Sequence, residues 1–343
     1  MSYSYDLLNL RQVQYFIAAA DAHSMTIAAD RLSVSQSAVS LAIARLEDAL
    51  GADLFIRQRG RGLTLTPAGQ TLLRHVRDLL AHAEEIRAEA ESLGRQLSGR
   101  LVVGCFRTAA PFVLPVLLET FERHHPDVVL DFIEGNQTEL EDALLDGLCE
   151  IAILYDMSLS VELDRQRLYS AVPYVLIAPG HTLGSRDSLT LEELAPLDMI
   201  LLDVPPTREH QLGIFHHAGL TPKVRYETSS YELLRSLVAR NRGYAMLISR
   251  PHGDVSYEGR PLQAVRLLGD ILPVDVVLAA PKGVRRTRRA RAFAEHCHRL
   301  IGDNDAMVDG TTGPDAWRLR IAETAEERHV PSSDSLHPAD RSA

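Results

Sequence analysis

The stretch SVSQSAVSLAIARLEDALG, Ser33 to Gly51, decides how the rest of the chain is read. Val39, Ala42, Ile43, Leu46, Ala49 and Leu50 recur at the spacing of one face of an α-helix, and Gly51 supplies a natural stop. The opposite edge of the N-terminal half carries Ser35, Gln36, Ser37 and Ser40 where a solvated helix would carry lysine and glutamate. A helix that is apolar on one side and small and polar at its leading edge is built both to pack and to enter a groove.

Its neighbours fit that reading. Leu10, Val13, Phe16, Ile17 and Ala20 mark an amphipathic helix from Leu10 to Ala22. Ser24 or Thr26 can cap a short second helix, whose Ala28 and Ala29 allow a close crossing, and Ser33 to Ser35 form a tight turn into the third. Helix, tight turn and second helix with a small polar outer edge is the helix-turn-helix pattern. Next, DLFIRQRGRGLTLTPAG reads as a β-hairpin with a basic tip, a wing carrying Arg57, Arg59 and Arg61. Thr66 caps the following helix and Pro67 takes its first position. In that helix Leu72, Val76, Leu79, Ala83, Ile86, Ala90 and Leu93 are separated alternately by four and three residues, a heptad seam. At 1.5 Å per residue it runs about 40 Å, too long for the small head to cover. A second copy of the chain is the simplest partner, with an intramolecular bundle as the alternative.

After Ser98-Gly99 strands and helices alternate: RLVVGC, PFVLPVLLETFERHHP, VVLDFIEG, TELEDALLDG and EIAILY, then a second set from AVPYVLIAPG to GYAMLIS, closed by VDVVLAAP and TRRARAFAEHCHRLI. Two α/β lobes joined by crossing strands account for this order. From residue 301 onward Asp, Ser, Pro, Gly and Glu dominate, the composition of a disordered tail.

Composition limits the function classes. A chain of 343 residues with 45% hydrophobic and 24% charged residues has the balance of a globular protein of two or three domains. No apolar run approaches the roughly 18 residues of a membrane span, and MSYSYDLLNL lacks a basic segment followed by an apolar one, so a cytoplasmic protein is expected. Cys105, Cys149 and Cys297 form no C-x-x-C pair and read as buried small residues. The net charge of −10 weighs against nucleic acid, but residues 31 to 77 hold seven arginines against three acids.

These segments together resemble the LysR-type transcriptional regulators, over residues 9 to 300. The resemblance rests on LRQVQYFIAAADAHSMTIAADRLSVSQSAVSLAIARLEDALGADLFIRQRG and LTLTPAG in the head, and on VGC with LPVLLETFERHHPDVVLDFIEGNQTELEDALLDGLCEIAIL beyond it. It implies a winged helix-turn-helix domain (1–66), a linker dimerisation helix (67–95) and a two-lobed, periplasmic-binding-protein-like α/β effector domain (99–300). The lobes would be 99–170 with 270–300, and 171–269. It also implies a dimer or tetramer that binds operator DNA and answers a small effector held between the lobes, with no cofactor. Contacts to bases and phosphates then fall on Ser35, Gln36, Ser37 and Ser40, with Thr26 and the wing arginines on phosphates. Many members carry arginine directly after the serine matching Ser40. Leu41 stands there instead, so either a phosphate contact is missing or Leu41 packs on a thymine methyl.

For the effector, three candidate helix N-termini bear hydroxyls, at Thr108, Thr207 and Thr228 to Ser230, and Arg107 and Arg208 flank two of them. The resemblance implies cleft positions for Thr108, Gln137 and Thr207. Two readings stay open: a small organic acid bound there, or hydroxyls that merely cap helices beside solvated arginines. An enzyme is the rival class, yet no G-x-S-x-G, P-loop or G-x-G-x-x-G motif occurs, and His124-His125, His216-His217 and His296-Cys297-His298 lack zinc-ligand spacing. A free solute-binding protein would explain the two lobes but not the first 95 residues.

Overall fold

The computed structural model describes residues 9–58, 62–91, 97–251 and 253–301. Three helices, α1 (Leu10–Ala22), α2 (Met25–Arg31) and α3 (Gln36–Leu50), close a small core around Val13, Phe16, Ala28, Ala29, Val39, Ile43 and Leu46. Each begins at a side-chain cap, Asn9, Ser24 and Ser35 respectively, and α3 ends at Gly51 in the left-handed conformation that glycine adopts without strain. Ser24 is thus the cap of α2, which leaves Thr26 exposed within its first turn. Leu50, expected on the core face of α3, lies at its edge and is exposed, because the helix ends before another turn can cover it.

The wing is an antiparallel pair, β1 (Phe55–Gln58) and β2 (Gly62–Leu65). The Glu47 carboxylate of α3 accepts hydrogen bonds from the backbone N–H groups of Leu54 and Phe55, at 2.8 and 3.3 Å, which ties the start of the wing to that helix. Thr66 caps α4 (Pro67–Glu91) through the Gly69 N–H.

Beyond the head, the first lobe is a five-stranded sheet in the order β4-β3-β5-β13-β6. Its strands are β3 (Gly99–Phe106), β4 (Val128–Gly135), β5 (Ile151–Tyr155), β6 (Leu163–Ala171) and β13 (Val274–Pro281). Helices α5 (Ala110–His124), α6 (Gln137–Leu145) and α10 (Arg288–Ile301) pack on it. The second lobe holds β7 (Tyr174–Ile177), β8 (Ser188–Thr190), α7 (Leu191–Leu194), β9 (Asp198–Leu202) and α8 (Thr207–His217), followed by β10 (Lys223–Thr228), α9 (Tyr231–Ala239), β11 (Ala245–Leu247) and β12 (Gln263–Leu268). Strand order there is β11-β7-β12-β8, and the parallel bridge Met199 to Tyr244 joins the β10-β9 pair to it. The chain crosses between lobes from β6 to β7 and again from β12 to β13, as the alternation implied. Strand β6, LDRQRLYSA, gave no sequence signal: four successive residues are exposed at this sheet edge, so only its last four show the expected burial. Residues expected to form the tail lie, after Ile301, outside the described residues.

Arg77 of α4 ties three parts together, pairing with Asp21 of α1 and donating to the Asp146 carbonyl at the end of α6. The three cysteines are buried free thiols, as expected.

One buried titratable group has a measurable consequence. The His296 ring stands edge-on to Phe121, with Nε2 2.7 Å from the Thr120 hydroxyl and Nδ1 buried without a hydrogen-bond partner among the described residues. Burial, then the charges of Arg299, His124 and His125, push its pKa down to about 4. An unfolded histidine titrates near 6.5, so unfolding takes up a proton between these values and stability falls as pH drops from about 6.5 toward 4. His296→Gln keeps a hydrogen-bonding partner for Thr120 and removes that proton. In urea melts from pH 7 to 5 the wild type should lose stability relative to this variant by up to roughly 1.4 kcal/mol per pH unit. Parallel profiles would show that His296 is not neutral in the fold.

Candidate functional site

At the leading edge of α3 the side chains of Ser35, Gln36 and Ser37 are exposed, Ser40 is half-buried and Leu41 is 54% exposed. The Ser35 hydroxyl accepts from the Ala38 N–H at 3.2 Å and lies 2.9 Å from the Ser37 hydroxyl, so part of its capacity goes to capping. Gln36 starts the helix with its amide facing solvent, able to donate and accept on one adenine edge. Of the wing arginines, Arg57 lies in β1 opposite Leu63, while Arg59 and Arg61 fall outside the described residues.

The seam on α4 divides. Leu73 and Val76 are buried in the head core and Leu72 and Leu80 pack against it, because three helices and a hairpin leave one side of that core open. Val76 is therefore used within its own chain, a correction to the seam read from spacing alone. Leu79 and Ile86 remain 45% and 69% exposed with Ala83 half-buried between them. Ala90 is within the helix and Leu93 lies outside the described residues.

Between the lobes, a narrow pocket is lined by Thr108, Tyr155, Leu202, Thr207, Gln211, Tyr231, Leu247, Ile248 and Ser249. It shares Thr108 and Tyr231 with a neighbouring cavity of about 540 Å³, walled also by Pro111, Phe112, Val255, Tyr257, Arg107 and others. Helices α5 and α8 start at this pocket, and both lack a capping side chain, whereas α1, α2, α3, α6, α7 and α9 each have one. Thr207 Oγ1 and Gln211 Oε1 are buried and have no hydrogen-bond partner among the described residues. The Gln211 amide nitrogen is committed, donating to the Met246 carbonyl at 2.7 Å.

Ser249 anchors the far wall. Its hydroxyl is 2.9 Å from the Tyr155 hydroxyl, and its carbonyl accepts from Tyr174 and Tyr231 at 3.1 and 2.6 Å. Burial raises the pKa of all three tyrosines, that of Tyr174 to about 12, so each stays a neutral hydroxyl. Every buried arginine near the cavity has acid partners: Arg235 with Glu232 at 2.9 Å and Arg250 with Asp254 at 2.7 Å. Arg107 faces Glu139 at a looser 3.4 Å and its side chain is half-exposed.

Thr108 and Thr207 thus meet in one pocket, with Arg107 at its mouth. Three other expected positions do not reach it. Arg208 turns away to Asp203 and Glu227, at 3.2 and 2.9 Å. The Thr228 hydroxyl accepts from the Ser230 N–H in its own loop. Gln137 heads α6, its amide nitrogen donating to Glu141 and to the Met157 carbonyl. Sequence reasoning missed Tyr155, Gln211, Tyr231 and Ser249. Gln211 alone left a signal, standing four residues after Thr207 on the same helix face.

A family model described as bacterial regulatory helix-turn-helix protein, lysR family, matches residues 10–70, and one described as LysR substrate binding domain matches residues 94–301. The uncharacterized HTH-type transcriptional regulator YnfL of Escherichia coli is 30% identical, over 84% of this chain and 97% of its own. HinK, a LysR family transcriptional regulator from Pseudomonas aeruginosa, is 31% identical over 86% of this chain and 99% of its own, with a TM-score of 0.58. CbnR in complex with its target DNA shares the fold at 24% identity, covering 85% of this chain and 99% of its own, with a TM-score of 0.50. No helix among the described residues is long and apolar enough to cross a membrane. With both family models running through the winged head and the two lobes, the chain belongs to the LysR family, as a DNA-binding transcriptional regulator with an effector-binding domain and not an enzyme.

Proposed function

We propose that this regulator reads a partly palindromic operator as a dimer and is controlled by an organic acid held between its lobes. The observation that carries the effector half is the pair of uncapped helix ends, α5 and α8, meeting at a pocket with buried, unpartnered Thr207 Oγ1. The helix dipole at such ends favours negative charge, although the backbone takes up part of the donor set: the N–H groups of Thr207 and Arg208 go to the Val204 carbonyl, that of Phe112 goes to the Ala109 carbonyl, and Pro111 has none. Of the two readings open at the sequence level, hydroxyls that merely cap helices lose support, because neither α5 nor α8 receives a side-chain cap. The domain division 1–66, 67–95 and 99–300 frames the reading, and operator binding puts the protein's work in the cytoplasm.

The DNA half rests on the exposed edge of α3 and on the CbnR complex, whose protein is bound to its target DNA. Ser35, Gln36, Ser37, Ser40 and Leu41 meet bases or nearby phosphates, while Thr26, Arg57, Arg59 and Arg61 add sequence-neutral affinity. The second copy docks along Leu79, Ala83 and Ile86 and continues over Ala90 and Leu93. Either two or four chains are compatible with that seam.

Two measurements test this. In calorimetric titrations, a series of carboxylates should include ligands that bind while their amides do not. Binding of uncharged compounds only would overturn the acid. Gln36→Ala should weaken the specific site by about 1 to 3 kcal/mol and leave random DNA nearly unchanged. Equal losses on both would make Gln36 a positioning residue.

A further inference from the structure

The pocket and the outer cavity place three demands on one ligand. The inner pocket has room for about 10 Å³, close to what a single water-sized atom needs. One of its orphan groups, Gln211 Oε1, can only accept, since the amide nitrogen is fixed by the Met246 carbonyl. The other, Thr207 Oγ1, can donate as well as accept. A carboxylate oxygen there would satisfy Thr207 and repel Gln211. A ligand hydroxyl satisfies both, donating to Gln211 and accepting from Thr207.

Negative charge finds its place one step outward. Thr108 stands between pocket and cavity at the uncapped start of α5, and Arg107 lines the cavity beside it. Arg235 and Arg250 are each neutralised by a paired acid, which leaves Arg107, loosely held by Glu139, as the cation best able to turn to a ligand. The remaining volume, about 540 Å³, is walled by Phe112 and Tyr231, edge to face with centroids 5.8 Å apart, and by Pro111, Pro251, Val255 and Tyr257. Such a volume has room for a body of one ring or more and far exceeds what a two- or three-carbon acid fills.

We infer that the effector is a hydroxy acid with an apolar body of at least phenyl size, its hydroxyl between Thr207 and Gln211, its carboxylate at Thr108 and Arg107, and its body against Phe112, Tyr231 and Val255. This rests on the inter-lobe acid reading above and adds the donor and the body to it.

Four probes separate the parts by calorimetry on the full chain: phenyllactate, 3-phenylpropionate, lactate and phenyllactamide. Phenyllactate should bind, 3-phenylpropionate about ten-fold more weakly for want of the donor, and lactate roughly 10- to 100-fold more weakly for want of the ring. Val255→Trp, at a half-exposed loop position, should fill the outer cavity and reduce phenyllactate binding at least about ten-fold with an unchanged circular dichroism spectrum. If 3-phenylpropionate or lactate binds as tightly as phenyllactate, the inference fails and the acid reading stands. If phenyllactamide binds as tightly, the acid reading fails with it. If none of the four binds at millimolar concentration, the hydroxy-aryl class is excluded, and the wider carboxylate series decides the acid reading separately.

Discussion

Replacing Leu79 and Ile86 together by aspartate is expected to leave each chain folded and to separate the assembly into monomers. Both side chains are largely outside the head core, so the change costs the protomer little. In a dimer the same positions meet across the seam, where each buried leucine or isoleucine contributes about 1.5 to 3 kcal/mol and four buried carboxylates would repel. Operator binding then falls with assembly. Two linked heads engage two half-sites at a high effective concentration, and losing that linkage lowers affinity by roughly 10² to 10⁴. Sedimentation velocity and a half-site titration measure both effects. A double variant that still sediments as the wild type and still binds the full operator would remove α4 from the interface.

Gly69→Ala should be the most damaging single methyl group in the head. A Cβ at residue 69 would stand 2.2 Å from the Leu54 carbonyl oxygen and 2.9 Å from Leu65 Cδ2. The oxygen cannot yield freely, because it accepts the Thr66 N–H at 3.0 Å at the junction between wing and α4. Overpacking against backbone is expected to cost about 3 kcal/mol. Gly213 in α8 is the control, with nothing within 4 Å of its would-be Cβ, and alanine there should be neutral or stabilise by up to about 1 kcal/mol. Chemical denaturation followed by circular dichroism compares the two. Equal midpoints would mean that the wing joins the linker helix more loosely than these distances imply.

How much of this was legible in the chain depends on the kind of interaction. The head was readable because its signals are local: Ser35 before α3, Gly51 after it and Pro67 opening α4 all sit where backbone chemistry needs them. The division of the α4 seam was not, since Val76 and Ile86 share one heptad pattern and only the fold reveals which is covered by the head. In the lobes, Thr108 and Thr207 could be placed because a hydroxyl at a helix start is a sequence-level cue. Tyr155 and Ser249 could not, being 94 residues apart and joined only when the crossing strands bring the lobes together. Arg208 misled for a related reason: its two acid partners, Asp203 and Glu227, come from different strand ends, and no spacing rule predicts that pairing. The acidic total charge is a poor guide too, because it hides a local excess of seven arginines over three acids between residues 31 and 77, where most of the proposed DNA contacts lie.

The central claim is that the exposed edge of α3, presented by a dimer, selects a particular DNA sequence. Fluorescence anisotropy of the full chain on the DNA upstream of its own gene, beside a shuffled duplex of the same composition, tests it most directly when repeated between 50 and 200 mM salt. The account predicts at least about 10³-fold preference for the natural duplex, with both affinities falling steeply as salt rises. Equal affinity for the two duplexes at every salt concentration, or no binding to either, would contradict it.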